Sequence, residues 1–150
     1  MHFPPYLYNS SSLTVYTFTS VGRRRIEKMV EFTNVGMEDV YNLAFGDLLP
    51  DGTIDDTSNS NNGDIVKVLA TVISILKDFT AKNPKAYVFF TGSTGERVQL
   101  YRRILKSYYS MFSKDFKIMA YIRSDDTYTQ VEFDPEIKAE YEGFIVKKNN

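Results

Sequence analysis

The chain has 150 residues, with 18 Lys and Arg against 19 Asp and Glu, one His and no Cys. The lack of cysteine removes disulfides, thiolate zinc sites and thiol nucleophiles, and a formal net charge of −1 excludes coating of nucleic acid or anionic membrane through bulk charge. Hydrophobic residues at 43% and charged residues at 25% are those of a globular chain, and the length suits one domain over residues 1–150 that buries roughly 70% of its unfolded surface.

No apolar run of about 18 residues is present. Met1-His2-Phe3-Pro4-Pro5 does not have the pattern of a signal peptide. The expectation is a cytoplasmic protein with no membrane association.

The first third reads as strands. After a short strand near Tyr6–Tyr8, residues 13–21 are rich in Thr, Val and aromatics, which suit a pleated surface. Gly22-Arg23-Arg24 offers a turn. Residues 25–33 then alternate, with Ile26, Val30 and Phe32 on one face and Glu27, Met29 and Glu31 on the other; Lys28 interrupts the apolar side. A further strand at 39–47 puts Tyr41, Leu43 and Phe45 together. These form a meander with one covered face. Residues 50–63 are polar and turn-rich, a connection of a length that is commonly functional.

A helix is predicted over 64–82, where Ile65, Leu69, Val72, Leu76 and Phe79 recur at helical spacing and Asn62 or Asp64 can cap the start. Asn83-Pro84 ends it. Residues 86–91 are apolar on both faces, as in an interior strand. A second helix over 95–112 carries Tyr101, Ile104, Leu105, Tyr108 and Phe112, and a strand over 115–123 follows, either by a βαβ crossover or by an antiparallel return. Two more strands near 128–133 and 140–147 complete the chain, with Asp125-Asp126 at a turn. The class is α+β: an antiparallel or mixed sheet with an N-terminal strand meander and two helices packed on one face.

The missing chemistry is informative. His2 is the single histidine and lies near the chain start, so Ser-His-Asp and Cys-His arrangements are ruled out. No His/Cys zinc pattern occurs. Aligning Gly52 or Gly63 with the glycine of a calcium loop puts Asp47 or Ser58 at its first position and Ser58 or Leu69 at its last, where Glu is required. Neither a metal nor a cofactor is expected, and the chain leans away from enzymes.

The stretch Thr91-Gly92-Ser93-Thr94-Gly95 joins a strand to a helix. Its glycines and hydroxyls at a helix N-terminus can hold an anion. Alternatively, Ser93 and Glu96 form a capping box that consumes the same N–H groups. It is neither a Walker A loop nor a nucleophile elbow. Arg97 falls on the arc of Tyr101, Ile104 and Tyr108, turned toward the sheet, whereas Arg102, Arg103 and Lys106 lie on the opposite arc. An inward guanidinium needs a partner, either a carboxylate such as Asp47 or a bound anion. Tyr and Phe, at 11 each, supply rings that either pack the core or offer base-stacking platforms.

Three stretches together carry a resemblance: residues 40–47 (Val-Tyr-Asn-Leu-Ala-Phe-Gly-Asp), residues 60–64 (Ser-Asn-Asn-Gly-Asp) with 67–72 (Lys-Val-Leu-Ala-Thr-Val), and Thr91-Gly92-Ser93-Thr94 with Arg97, Leu100, Tyr101 and Arg102. Over residues 5–123 the chain resembles a family of small uncharacterised bacterial proteins, a domain of unknown function. The resemblance implies a shared fold and a shared site, and implies no chemistry.

The functional expectation is a non-enzymatic binding or interaction protein. Its ligand surface would join Asp47, Asn61, Asn62 and Asp64 to Gly92, Ser93 and Thr94, with Arg97 and Arg102 meeting an anionic ligand or nucleic acid. One alternative is a small enzyme acting on a phosphorylated metabolite or nucleotide, with Asp47 or Asp64 as base and Arg97 stabilising charge. Another is one component of a two-gene bacterial module, such as a toxin–antitoxin pair, that binds a protein partner or its own copy through exposed rings.

Overall fold

The computed structural model describes residues 5–55, 62–90, 95–137 and 139–149, with the side chains of 95–97, 100 and 124 outside that description. The protein is α+β, with an N-terminal strand meander and mixed strand pairing. It divides into two compact units, Met1–Thr33 with Leu43–Asn83 and Asn34–Asn42 with Pro84–Asn150. The fourth strand contributes residues to both.

In the first unit the strands run β1 (Tyr8–Ser10), β2 (Val15–Val21), β3 (Arg25–Asn34) and β4 (Val40–Leu48), adjacent in that order. Alternation sets which face is covered. Tyr16 pairs with Val30 and Phe18 with Lys28, so one face carries Tyr16, Phe18, Val30 and Phe32, all buried. Helix α1 (Ile65–Lys82) supplies Val68, Leu69, Ile75, Leu76 and Phe79 to the core. The Phe79 ring stacks on Phe32 with centroids 3.9 Å apart and planes 1° from parallel. Ile65, placed on the buried stripe by periodicity, is 48% exposed, and Thr71 is buried in the helix. Thr71 is accommodated because its hydroxyl donates to the Lys67 carbonyl at 2.7 Å and accepts the Tyr6 N–H at 2.9 Å.

Part of the polar connection is itself ordered as a strand. β5 (Ile54–Asp55) pairs with Asp47 and Leu48 at the end of β4. The turn is closed by Leu49 N–H on the Thr53 carbonyl at 2.8 Å, with Asp51 accepting the Thr53 hydroxyl at 2.6 Å. Pro50-Asp51-Gly52 is therefore a hairpin turn, with Gly52 at φ +88°.

The second unit holds β6 (Tyr87–Phe90), α2 (Gly95–Ser107), α3 (Tyr109–Asp115), β7 (Phe116–Ser124), β8 (Thr127–Glu132) and β9 (Tyr141–Lys148). From the first residues of β4 the order is β4-β6-β9-β7-β8, parallel between β4 and β6 and antiparallel elsewhere. β6 and β7 are thus parallel with β9 inserted between them, which decides between the crossover and the antiparallel return.

The second predicted helix is two helices. It breaks at Tyr108, at φ −117° and ψ 22°, where Ser and Tyr replace the good helix formers of the preceding turns. Asp125, at φ 55°, and Asp126 form the two-residue loop joining β7 to β8, where Ser124 pairs with Thr127.

Register sorts this unit's side chains by face. Val88, Val146 and Ile118 share one row, and Phe90, Phe144 and Ala120 the next, all buried. The helices lie on this side: Tyr101 meets Phe90 at 5.5 Å and Phe112 meets Phe116 at 6.4 Å. Tyr87, Phe89, Ile145, Met119 and Tyr121 occupy the other face.

Two stability predictions follow from this packing. Phe79→Ala removes the ring stacked on Phe32 and is expected to cost about 3–5 kcal/mol in urea unfolding; a loss below about 1 kcal/mol would contradict the packing. The second concerns alkaline pH. Burial, then the hydrogen bond to the Asp78 carboxylate, pushes the Tyr8 phenol up to about 12 from an ordinary 10.0. The folded state therefore holds this proton more tightly, and its stabilisation is complete below pH 10.0 and lost as pH rises toward 12. Tyr8→Phe should remove that part of the alkaline loss; an identical pH slope in wild type and variant would contradict the assignment.

Candidate functional site

The end of the polar connection is fastened to the β2–β3 turn by a complete set of hydrogen bonds. Asn62 is 5% exposed, and its carboxamide pairs with the Arg24 backbone on both sides. Oδ1 accepts the Arg24 N–H at 2.7 Å, and Nδ2 donates to the Arg24 carbonyl at 2.7 Å and to Ser20 Oγ at 2.9 Å. The Asn62 carbonyl accepts the Arg23 N–H at 2.8 Å. This close approach requires glycine at 22, because a Cβ there would overlap the Asn62 carbonyl oxygen. Gly63, at φ +82°, then turns the chain into α1.

Asp64 occupies the helix N-cap position, yet its side chain makes no capping hydrogen bond. Its Oδ2 accepts the Tyr6 hydroxyl at 2.6 Å and the Ser20 hydroxyl at 2.5 Å. Tyr6 in turn accepts the Val21 N–H at 3.0 Å, so N-terminal segment, β2 and helix entry meet on one carboxylate. Burial, and secondarily the bond to Asp64, raises the Tyr6 pKa above 10.0. An ionised carboxylate taking two hydroxyl donors is an acceptor already in use.

Asp47, at the end of β4, pairs with Lys28 in an ion pair whose side chains are 7% (Lys28) and 19% (Asp47) exposed. The Lys28 ammonium also lies 5.9 Å from the centre of the Phe45 ring. Arg102 is half-buried, and its charge acts on the Tyr141 phenol, whereas Arg103 and Lys106 are exposed. Asn61, Gly92, Ser93, Thr94 and the Arg97 side chain lie outside the described residues. Of the residues expected at a ligand surface, the described Asn62 and Asp64 come together through Ser20, and Asp47 has a separate partner.

Sequence reasoning did not place Ser20, Tyr6 or Lys67 in a site. A surface groove of about 410 Å³ lies beside this network, lined by Pro5, Tyr6, Leu7, Asn9, Thr17, Phe18, Thr19, Glu27 and Lys67. The Lys67 ammonium sits 4.3 Å from the centre of the Tyr6 ring, and Glu27 accepts the Thr19 hydroxyl at 2.8 Å. Among the described residues, no cluster of three or more His, Cys, Asp or Glu could hold a metal ion. No described helix is long and apolar enough to cross a membrane.

These features define an α+β domain with an N-terminal strand meander. The chain belongs to a family of unknown function (DUF6934), whose model matches residues 2–149. That match includes the C-terminal strands beyond residue 123, where the sequence resemblance ended. No curated protein and no solved structure matches the chain.

If Asn62 is a fastening, Asn62→Ala leaves the Arg24 backbone pair and Ser20 without their buried partner. The expected cost is about 2–4 kcal/mol in urea unfolding. A stability unchanged within about 0.5 kcal/mol would mean the amide is free for a ligand.

Proposed function

We propose that the protein is a binding or interaction protein with no catalytic activity of its own. It takes an anionic ligand, phosphate or nucleic acid, at the junction of β6 and α2 around Gly92, Ser93 and Thr94, with Arg97 and Arg102 as cationic partners. One observation carries the non-enzymatic reading. The two carboxylates that the sequence offers as a base are both engaged by the fold, Asp47 by Lys28 and Asp64 by the hydroxyls of Tyr6 and Ser20. General base catalysis needs a carboxylate within reach of a substrate proton. Support for the junction comes from residue chemistry: glycines and hydroxyls leading into a helix, with a guanidinium in its first turn. A cytoplasmic location belongs to the same proposal, and a chain with no cysteine gains nothing from an oxidising compartment.

Thermal-shift measurements with phosphate, nucleotides and short single-stranded oligonucleotides test this reading, with Arg97→Ala as the control. A ligand at 100 times its dissociation constant adds about 2.7 kcal/mol, worth about 5–10 °C for a domain of this size. The expected result is such a shift in wild type and its loss in Arg97→Ala. No shift with any ligand, or an equal shift in the variant, would contradict it.

A further inference from the structure

The C-terminal unit has one sheet face packed by helices and one without them. On the packed side Val88, Val146, Phe144 and Ala120 are fully buried. On the other side, register places Tyr87, Lys147 and Lys117 in one row across β6, β9 and β7. Gly143 and Tyr121 form another row, and Arg123 and Tyr128 pair beyond it. The rim of this face carries rings and cations open to solvent: Tyr87 is 45% and Tyr128 62% exposed, and Lys117 and Arg123 are exposed, whereas Ile145 in its central row is buried and Phe89 and Tyr121 are half-buried.

Two features of this face are poorly explained by folding alone. Lys117 and Lys147 are direct cross-strand partners, and like charges placed directly opposite destabilise a sheet. Among the described residues neither lysine makes an ion pair; Lys147 instead lies 5.4 Å from the centre of the Tyr87 ring and donates to the Pro84 carbonyl at 3.3 Å. Secondly, with no side chain at Gly143, the half-buried rings of Phe89 and Tyr121 stack across β9, with centroids 5.6 Å apart and planes 5° from parallel. Arg123 donates to the Asp125 backbone carbonyl at 3.4 Å and pairs with no described carboxylate. By register, Glu132 lies on this face, and the exposed Glu142 stands at the irregularity of β9 beside Gly143.

We propose that this helix-free face of the C-terminal sheet binds single-stranded nucleic acid, with its rings stacking on bases and Lys117, Lys147 and Arg123 meeting phosphates. A phosphate offsets the repulsion between the paired lysines, and unpaired bases offer the π-faces that exposed rings can stack on. A duplex does not, since its bases are already stacked on one another. About three phosphate contacts give a logarithmic salt slope near −2 for a single strand. This surface is separate from the β6–α2 junction, and either assignment can fail without the other.

Fluorescence anisotropy of the full chain with labelled oligouridylate and oligothymidylate of about 12 nucleotides, at about 50 and 200 mM salt, tests the proposal. Saturable binding is expected, with the salt slope above and weaker binding of a duplex. The doubly substituted Lys117→Glu, Lys147→Glu chain should bind about tenfold more weakly or worse, with a smaller slope. Tyr87→Ala and Tyr128→Ala should each weaken binding about fivefold or more. Both rings are exposed, so circular dichroism should report an intact fold in these variants. Absence of saturable binding, equal affinity for duplex, or binding unchanged by the lysine and tyrosine variants would overturn it. Binding lost in Arg97→Ala and retained in the sheet variants would also overturn it, and would assign the nucleic acid to the junction.

Discussion

The amide of Asn62, locked onto the backbone of Arg24, is the constraint on which the N-terminal unit depends. It fixes the end of a long polar connection against the β2–β3 turn, at a place where glycine is required on the opposing chain. Gly63 then redirects the backbone, and Asp64 gathers Tyr6 and Ser20 as α1 begins. The helix enters with Ile65 outward and Val68, Ile75 and Phe79 inward, so the stacking of Phe79 on Phe32 inherits its geometry from this anchor. Each buried polar atom in the cluster has a partner, the condition under which such a network specifies one arrangement of the chain.

The Lys28–Asp47 pair performs a second fastening inside the same unit. Lys28 stands on the covered face of β3, beside Val30 and Phe32, where an unpaired ammonium would cost several kcal/mol or more. Asp47 neutralises it from the end of β4, next to the hairpin that carries β5. Two carboxylates that look available for chemistry in a linear reading are therefore structural in space. This is the observation that supports the proposal of binding without catalysis.

Much of the architecture was legible from residue patterns. Alternation in β2 and β3, with Lys28 as the exception to be explained, and the helical spacing after Asp64 all correspond to elements of the fold. The interruption at Tyr108 was hidden because Tyr101, Ile104, Tyr108 and Phe112 keep helical spacing through the break. The inward face of α1 was misplaced at Ile65 because periodicity cannot see a tether more than 40 residues distant in sequence, from Tyr6 and Ser20 to Asp64. The insertion of β9 between β6 and β7 is likewise a non-local choice. It creates the row of Tyr87, Lys147 and Lys117, which no spacing within a single strand could show. Polar residues near a helix start read equally well as ligands, caps or fastenings, and three-dimensional partners decide among them.

The claim that the Asn62–Asp64 cluster is a fastening is tested most directly by a double-mutant cycle between Ser20→Ala and Asp64→Ala, read by urea unfolding. A hydroxyl bonded to an ionised carboxylate at 2.5 Å predicts a coupling of about 1.5–3 kcal/mol. Additive effects, with coupling below about 0.3–0.5 kcal/mol, would contradict it and return Asp64 to the ligand surface.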